Sequence, residues 1–195
     1  MTLTAGSSTG SDQLPAFYFD LSSPESWLAA ERVLRVVPAP CEWIPVAMPF
    51  EGGFRCAEEE TIFREEIERE AAARGLQEVR WPAEFPFDSS FAQRAATYAK
   101  GGGKAVGFAL AAYRQAFAGG RDLSDPQNVM IAAAAVEIHP RALLVGADTA
   151  GTRRRLEEAT EVARERGVVS VPAVWAGGEV FHGDAALERA AAAVA

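Results

Sequence analysis

The spacing of apolar residues changes abruptly near the start of the chain. Residues 17–19 are Phe, Tyr and Phe, a consecutive aromatic run that predicts a short buried strand. From Trp27 onward apolar residues recur at helical spacing between charged ones, which predicts a helix that ends before Pro38. Residues 23–26, Ser-Pro-Glu-Ser, therefore form a strand-to-helix turn. Pro24 suits the first helical turn, where its missing N–H has no intrahelical partner.

The middle of the chain is dominated by helical patterns. A second strand is predicted over residues 43–46, and an aromatic connector rich in proline over residues 79–90. We expect the aromatic side chains of this connector to cover the helical core; lining a pocket is the alternative. Helices are predicted over 58–74 with Ile62 on the apolar face, over 91–100, 104–117, 126–135 and 140–145, and from a cap at Asp148 or Thr149 to Arg166.

Strand patterns return near the C-terminal end. Residues 168–174 are rich in β-branched side chains and contain Pro172, and a cis bond between Val171 and Pro172 reconciles that proline with a strand. The pair Gly177-Gly178 predicts a hairpin to a last strand over residues 179–181. Asp184 is the predicted cap of a final helix over residues 185–194.

This order of elements predicts an α/β fold. A strand, helix and strand at the start imply a parallel pair, and the hairpin at the end adds antiparallel strands. We expect residues 15–50 and 168–195 to form one α/β layer, residues 51–167 to form a large all-helical insertion, and residues 1–14 to be a disordered tail rich in Gly, Ser and Thr.

Composition narrows the possible partners. The chain has 195 residues, of which 49% are hydrophobic, and a formal net charge of −8. An acidic protein is not attracted to nucleic acid or to an anionic membrane, so neither is expected as a partner. The first 14 residues lack the basic and apolar regions of a secretory signal, and no apolar run approaches the length of a membrane helix. We therefore expect a cytoplasmic protein with a small-molecule substrate.

Cysteine and histidine patterns exclude two further kinds of site. The two cysteines, Cys41 and Cys56, do not form a C-x-x-C motif, and with two histidines in the chain no zinc pattern appears. We expect reduced thiols rather than a disulfide. His139, before a proline, is expected in a loop, and His182 either faces the site or faces solvent. Asp20, at a strand end, is expected to cap a turn or to be solvated.

Ser23 is the candidate functional residue that the pattern itself singles out. As the N-cap of the first helix, its hydroxyl lies beside the free N–H groups and the positive end of the helix dipole. That arrangement outlines a site for an anion or a thiolate. The alternative is an ordinary serine cap with no ligand.

Three segments of the chain carry a family resemblance. Residues 17–29 read FYFDLSSPESWLA, residues 167–174 read GVVSVPAV and residues 177–184 read GGEVFHGD; the stretch Leu123-Ser124-Asp125-Pro126 adds a weaker match. Together they resemble the 2-hydroxychromene-2-carboxylate isomerases and kappa-class glutathione transferases, within the DsbA-like branch of the thioredoxin superfamily. The resemblance implies a thioredoxin-like fold of the DsbA family.

The resemblance also implies a chemistry. Ser23 and Ser26 occupy the positions of the redox C-x-x-C, and serine can neither attack a disulfide nor be attacked, which excludes disulfide exchange at this place. Ser23 is implied to hydrogen-bond the sulfur of glutathione or another low-molecular-weight thiol, which would act on a conjugated or aromatic substrate. Val171 and Pro172 would meet the peptide backbone of glutathione, and Asp184 its γ-glutamyl end.

The chain departs from the family pattern at three positions. Glu25 replaces a usual aromatic residue, and a carboxylate beside Ser23 raises the pKa of a thiol there. Ala185 stands where the family has a polar or acidic residue, although Asp184 is adjacent. The loop after the second strand usually offers Lys and Asn, and here offers Arg55, which with Ser26 and Ala185 completes the predicted binding set.

Three functions remain open on these grounds. The first is a thiol-dependent isomerase or transferase with Ser23 as its catalytic residue. The second is a binding protein that has lost catalysis, a loss that the presence of Glu25 would indicate. The third is a thiol oxidoreductase that uses Cys41 or Cys56, which requires Cys56 near Pro172 with a lowered pKa. A homodimer is also possible, since many relatives dimerise.

Overall fold

A four-stranded mixed sheet organises the molecule. The computed structural model describes residues 14–194, so the predicted tail lies almost entirely outside it. The sheet order is β2-β1-β3-β4; β1 and β2 are parallel, and the other two pairs are antiparallel. The strands are β1 (Ala16–Phe19), β2 (Glu42–Pro45), β3 (Ala173–Ala176) and β4 (Glu179–His182). The predicted parallel pair and the closing hairpin are both confirmed.

Helices cover both faces of the sheet, and for this reason strand β1 is entirely buried. Phe17 and Phe19 join the larger core, in which Trp43 of β2 lies edge-on to both rings. Tyr18 points to the opposite face and packs in a smaller core with Ala163. A strand covered on both sides needs apolar residues at every position, which explains the consecutive aromatic run in the sequence.

Helix α1 (Pro24–Val36) connects the two parallel strands, with Ser23 as its N-cap and Pro24 at its first position. The helical insertion between β2 and β3 contains α2 (Ala57–Ala73), α3 (Ser90–Gly101), α4 (Ala105–Tyr113), α5 (Pro126–Ala134), α6 (Pro140–Ala147) and α7 (Ala150–Glu165). Each predicted helix is present. The one predicted over 104–117 is divided, because α4 continues as a π-helical turn over Arg114–Ala118.

The aromatic connector covers the helical core, as predicted. Trp81, Phe85 and Phe87 all pack against Phe117, with ring centroids 6.0, 6.4 and 6.3 Å from it. The buried apolar face predicted for α2 was partly wrong. Ile67 and Ala71 are buried, but Ile62 has 63% of its surface exposed.

Two predictions at the C-terminal end need correction. Pairing in the third strand begins only at Ala173, so residues 168–172 form a loop instead of the start of a strand. Asp184 does not cap a long final helix. A short 3-10 turn (Asp184–Ala186) precedes α8 (Leu187–Ala192), and Gly183 with φ 77° begins the turn, because the Asp184 carboxylate binds arginines instead.

None of the helices between residues 14 and 194 combines the length and apolar character needed to cross a membrane.

Candidate functional site at the start of helix α1

A cavity of about 500 Å³ opens at the start of helix α1. Ser23 and Glu25 form one wall, and the loop over residues 47–53 after strand β2 forms another. The loop before strand β3, residues 169–171, and Arg164 of α7 close the remaining side. The cavity thus lies where the α/β layer meets the first loop of the insertion.

Ser23 is buried and has a hydrogen-bond donor to spare. Its Oγ accepts a hydrogen bond from the backbone N–H of Ser26 at 3.0 Å, which is the expected N-cap contact. A hydroxyl can donate while it accepts, and no described residue accepts the Ser23 O–H. The hydroxyl hydrogen is therefore available to a ligand in the cavity.

The helix start offers fewer free N–H groups than the sequence predicted. Pro24 has none, the Ser26 N–H bonds the Ser23 hydroxyl, and the Trp27 N–H bonds the Ser23 carbonyl oxygen at 3.1 Å. Among the N–H groups at the start of this helix, only that of Glu25 has no partner within residues 14–194. An anion at this place would meet one amide and one hydroxyl.

Val171 lines the same cavity as Ser23. The Val171–Pro172 peptide bond is cis, and neither backbone polar group of Val171 bonds to another described residue. Pro172 is buried behind it, and its carbonyl oxygen accepts from the Gly183 N–H at 2.8 Å. His182 was predicted to face either the site or solvent. Its Nε2 accepts a hydrogen bond from the Val169 N–H at 3.1 Å, and this contact holds the loop before strand β3.

Ser26 lies in the interior and does not line the cavity. Its side chain is fully buried beside the phenol of Tyr113, whose hydroxyl donates to the Asp20 carbonyl oxygen at 2.9 Å. Burial raises the pKa of Tyr113 well above its ordinary value, and the adjacent Ser26 hydroxyl opposes that rise. The second serine of the turn therefore packs against the helical core.

Arg55 and Ala185, two other predicted binding residues, also lie outside the cavity lining. The Arg55 guanidinium is largely exposed and its Nε donates to Glu59 at 2.8 Å. Ala185 is exposed, and its methyl group offers no polar contact.

Asp184 joins three parts of the chain. Its Oδ2 bonds Arg32 of α1 at 2.6 Å and Arg74, at the end of α2, at 2.7 Å. Its Oδ1 is buried and has no partner among the described residues. One acceptor on Asp184 is thus free, although the residue is outside the cavity lining.

Glu25 lines the cavity, and its side chain remains exposed to solvent there. The partial burial of its carboxyl group raises its pKa, and the carboxylates of Glu66 and Asp184 raise it further. The residue that departs from the family pattern is therefore directly in the site.

Asp20 caps the turn after strand β1, which is one of its two predicted roles, and it is also a buried support for the cavity loop, which sequence reasoning missed. Its carboxylate accepts from the Ser22 N–H and hydroxyl, from the Ser89 hydroxyl at 2.7 Å and from the Met48 N–H at 3.1 Å. The Ser22 hydroxyl accepts from the Phe50 N–H at 2.8 Å, so the same network holds the cavity loop. Burial raises the pKa of Asp20, and these hydrogen bonds oppose the rise.

The solvated alternative for Asp20 was wrong. The signal was an Asp directly after a buried strand with Ser two residues later, which is typical of an Asx turn.

Gln93 is the second support that was missed. From helix α3 its amide donates to the carbonyl oxygens of Phe19 at 2.9 Å and Val46 at 2.7 Å, and it accepts from the Leu21 N–H at 3.2 Å. It thereby satisfies backbone groups at the ends of both parallel strands, where the ladder stops. A single Gln among buried alanines of α3 was the available signal.

The two cysteines are free, and neither lines the cavity. Burial raises the pKa of the Cys41 thiol to about 12, which suppresses its thiolate. Cys56 is exposed as the N-cap of α2. An oxidoreductase based on these thiols needs a cysteine beside the loop of Val171 and Pro172, and the lining of the cavity at that loop includes neither Cys41 nor Cys56. His139, expected in a loop, caps α6 by accepting from the Arg141 N–H at 3.2 Å.

A mixed sheet, a helix that starts at the cavity and a proline loop opposite that start define a thioredoxin-like protein with serine where redox members carry cysteine. The chain belongs to the family of the DSBA-like thioredoxin domain, whose model matches residues 16–195. The fold class and the family resemblance found in the sequence are thereby confirmed.

Solved structures agree with this assignment of the fold. A 2-hydroxychromene-2-carboxylate isomerase superposes with a TM-score of 0.78 at 18% identity, over 90% of this chain and 91% of that one. A probable DsbA oxidoreductase from Streptomyces coelicolor gives 0.72 at 17% identity, over 92% and 87%. The cytosolic disulfide reductase DsbM from Pseudomonas aeruginosa gives 0.67 at 12% identity, over 93% and 95%, and has also been solved with GSH. A search of curated proteins finds no significant match to the sequence.

Proposed function

We propose that this protein is a thiol-dependent isomerase or transferase that acts on small conjugated or aromatic molecules. In this proposal the Ser23 hydroxyl donates a hydrogen bond to the sulfur of glutathione or another low-molecular-weight thiol. The observation that carries the proposal is that the buried Ser23 hydroxyl donates no hydrogen bond to any described residue. Ser23 lines the same cavity as Val171, whose backbone N–H and C=O are also unpaired among these residues.

The chemistry follows from what a hydroxyl donor does to sulfur. A hydrogen bond that favours the charged form lowers the pKa of a thiol and raises its thiolate fraction. The thiolate adds to a carbon of a conjugated system, the former double bond rotates as a single bond, and the thiolate leaves with the bonding electrons. If the substrate is an electrophile with a leaving group, the same thiolate displaces that group and a transferase results.

The residues that line the cavity are suited to bind a peptide-like thiol beside an apolar substrate. Val171 presents an unpaired N–H and C=O, ahead of the buried Pro172, for the backbone of a peptide such as glutathione. Asp184 retains a free oxygen for an amino group if a ligand reaches that far. Met48 and Phe50 supply the apolar side, and Phe50 is held by stacking on Phe63 at 5.1 Å.

A binding protein without catalysis is the second candidate, and Glu25 is the observation that favours it. Its carboxylate lines the cavity in which a thiolate would have to form, and like charges oppose one another. A protein of this kind would bind a ligand at Ser23 without turning over a substrate. A cytoplasmic location is part of both proposals, since both cysteines are free.

Thermal unfolding with reduced glutathione tests the proposed binding. At about 100 times the dissociation constant, a ligand should add about 2.7 kcal/mol to the free energy of unfolding. We expect this gain in the wild type and its loss in Ser23→Ala. Thr149→Ala is the matched control, because Thr149 caps helix α7 in the same way but does not line the cavity. Equal stabilisation of wild type and Ser23→Ala would reject Ser23 as the thiol ligand.

Turnover separates the two candidates. The substrate to try first is 2-hydroxychromene-2-carboxylate, the substrate in the name of a structural neighbour, followed through its change in ultraviolet absorbance with and without thiol. Thiol-dependent isomerisation that falls by about a hundredfold in kcat/KM in Ser23→Ala would support the enzyme. Glutathione binding without turnover of this or other conjugated substrates would favour the binding protein.

A further inference from the structure

The cavity at Ser23 has acidic walls. The ionisable side chains that line it are two carboxylates, Glu25 and Glu51, and one guanidinium, Arg164. Arg164 already contacts Glu161 at 2.6 Å, so its positive charge is matched by a carboxylate from its own helix. The two glutamates therefore set the sign of the charge that a ligand meets.

Charges behind the wall reinforce this sign. The negative charges of Glu66 and Asp184 both raise the pKa of Glu25, so both carboxylates act on this wall of the cavity. The nearby arginines do not reverse the sign, because Arg32 and Arg74 together contact three carboxylates, those of Asp184, Glu188 and Glu70. Arg55 is paired with Glu59 outside the cavity.

The helix start does little to offset these carboxylates. An α-helix N-terminus normally attracts anions through several free N–H groups. In this protein Pro24 removes one of them and the Ser26 N–H is bonded to the Ser23 hydroxyl, which leaves the Glu25 N–H. That remaining amide belongs to the residue whose own carboxylate repels an anion.

We infer that the Ser23 cavity selects low-molecular-weight thiols that are neutral or positively charged over anionic ones, with Glu25 as the residue that sets this preference. The inference rests on the proposed function, because it takes a thiol as the ligand of Ser23. It names the class of that thiol: one that carries an amine, an ester or uncharged hydroxyl groups where glutathione carries its carboxylates. Glutathione itself becomes a weak ligand of this site.

A charge series on one thiol tests the preference directly. Glutathione, its glycyl monoethyl ester and its diethyl ester carry net charges of minus one, zero and plus one at neutral pH. We expect the dissociation constant, measured by isothermal titration calorimetry, to fall about threefold to tenfold at each step. High salt should compress the series, because charge interactions at an open cavity are screened.

Two variants assign the effect to its residue. In Glu25→Gln the range of the three dissociation constants should narrow by about threefold or more, since one of the two carboxylates that line the cavity is gone while Glu51 remains. Glu58→Gln is the matched control, because Glu58 also lies in the first turn of a helix but not in the cavity. It should leave the series as it is in the wild type.

Each outcome bears on a different part of the account. Equal affinities in the wild type, or glutathione as the tightest of the three, would overturn the inference and leave the proposed function standing. A series that persists unchanged in Glu25→Gln would overturn the assignment to Glu25. No binding of any of the three thiols to the wild type would overturn the proposed function, and the inference with it.

Discussion

Ser23 and Val171 line the same cavity, although they lie near opposite ends of the chain. Ser23 offers an unused hydroxyl hydrogen, and Val171 offers an unpaired backbone N–H and C=O. Both are held from behind: the Ser23 turn by the buried Asp20 network, and the Val171 loop by its contacts with Gly183 and His182. A site with fixed walls and unused polar groups is suited to bind a ligand.

Gln93 should be important for stability, because its side chain satisfies three buried backbone groups. In Gln93→Leu the Leu21 N–H loses its partner, whereas the Phe19 and Val46 carbonyl oxygens keep hydrogen bonds from the Val46 and Met48 N–H groups. Because one unsatisfied buried group costs about 1–3 kcal/mol, we expect the free energy of unfolding to fall by about 2 kcal/mol in urea denaturation. Gln127→Leu, an exposed change in the first turn of α5, should alter it by less than about 0.5 kcal/mol. Equal effects of the two changes would contradict the role of the network.

Asp184 should act as a structural ion-pair partner whether or not it touches a ligand. Asp184→Ala leaves Arg32 and Arg74 without their shared carboxylate, in a place where all three side chains are less than 20% exposed. We expect a loss of about 2 kcal/mol in the free energy of unfolding. Glu188→Ala removes a more exposed partner of Arg32 and should cost less than about 1 kcal/mol. A larger loss in Glu188→Ala than in Asp184→Ala would contradict the structural role of Asp184.

Glu25 should make the stability depend on pH in a defined direction. Its folded pKa is raised, so between the unfolded value, near 4.3, and the folded value the native state binds more protons than the unfolded state. Stability contributed by this group is therefore complete below about pH 4 and is lost as pH rises through the folded pKa. The advantage of Glu25→Gln over wild type should grow across that window and then level off. Thermal melts from pH 3.5 to 8 measure this difference, and an advantage that shrinks with rising pH would contradict the raised pKa of Glu25.

The two cysteines should differ sharply in reactivity. The thiolate is the reactive form, and the pKa of Cys41, raised to about 12, suppresses its thiolate at pH 8, whereas Cys56 is exposed to the reagent. We expect iodoacetamide to modify Cys56 at least about a hundred times faster, as followed by mass spectrometry of the intact protein. Cys56→Ser should abolish the fast phase. Comparable rates at both positions would show that Cys41 is more accessible than the structure indicates.

Much of the fold could be predicted because its signals are local. The aromatic run before Ser23, the Ser-Pro start of α1, the Asp-Pro start of α5 and the Gly-Gly hairpin each dictate their own backbone geometry. Tertiary contacts explain where prediction failed. Asp184 was expected to cap a helix, yet two arginines distant in sequence bind its carboxylate.

The candidate site was predictable only in part. Ser23 and Val171 follow from a helix start and a proline within a strand-like segment, and the structure brings them together. The capping role of Asp20 was predicted, but its contacts with Ser89 and Met48, like those of Gln93 with the strand ends, join distant elements and show in no local pattern. Ser26 shares the turn with Ser23, but its side chain is buried near Tyr113, which lies far along the chain.

The central claim is that the Ser23 hydroxyl stabilises a bound thiolate. The most direct test is the pKa of the bound thiol, from a pH titration of the ultraviolet absorbance of its thiolate on wild type and Ser23→Ala, with the tightest-binding thiol of the charge series. The account predicts a pKa about one unit or more lower on wild type, because a hydrogen bond to the charged form is lost in the variant. The same pKa on both proteins would show that Ser23 caps its helix and does nothing for the thiol.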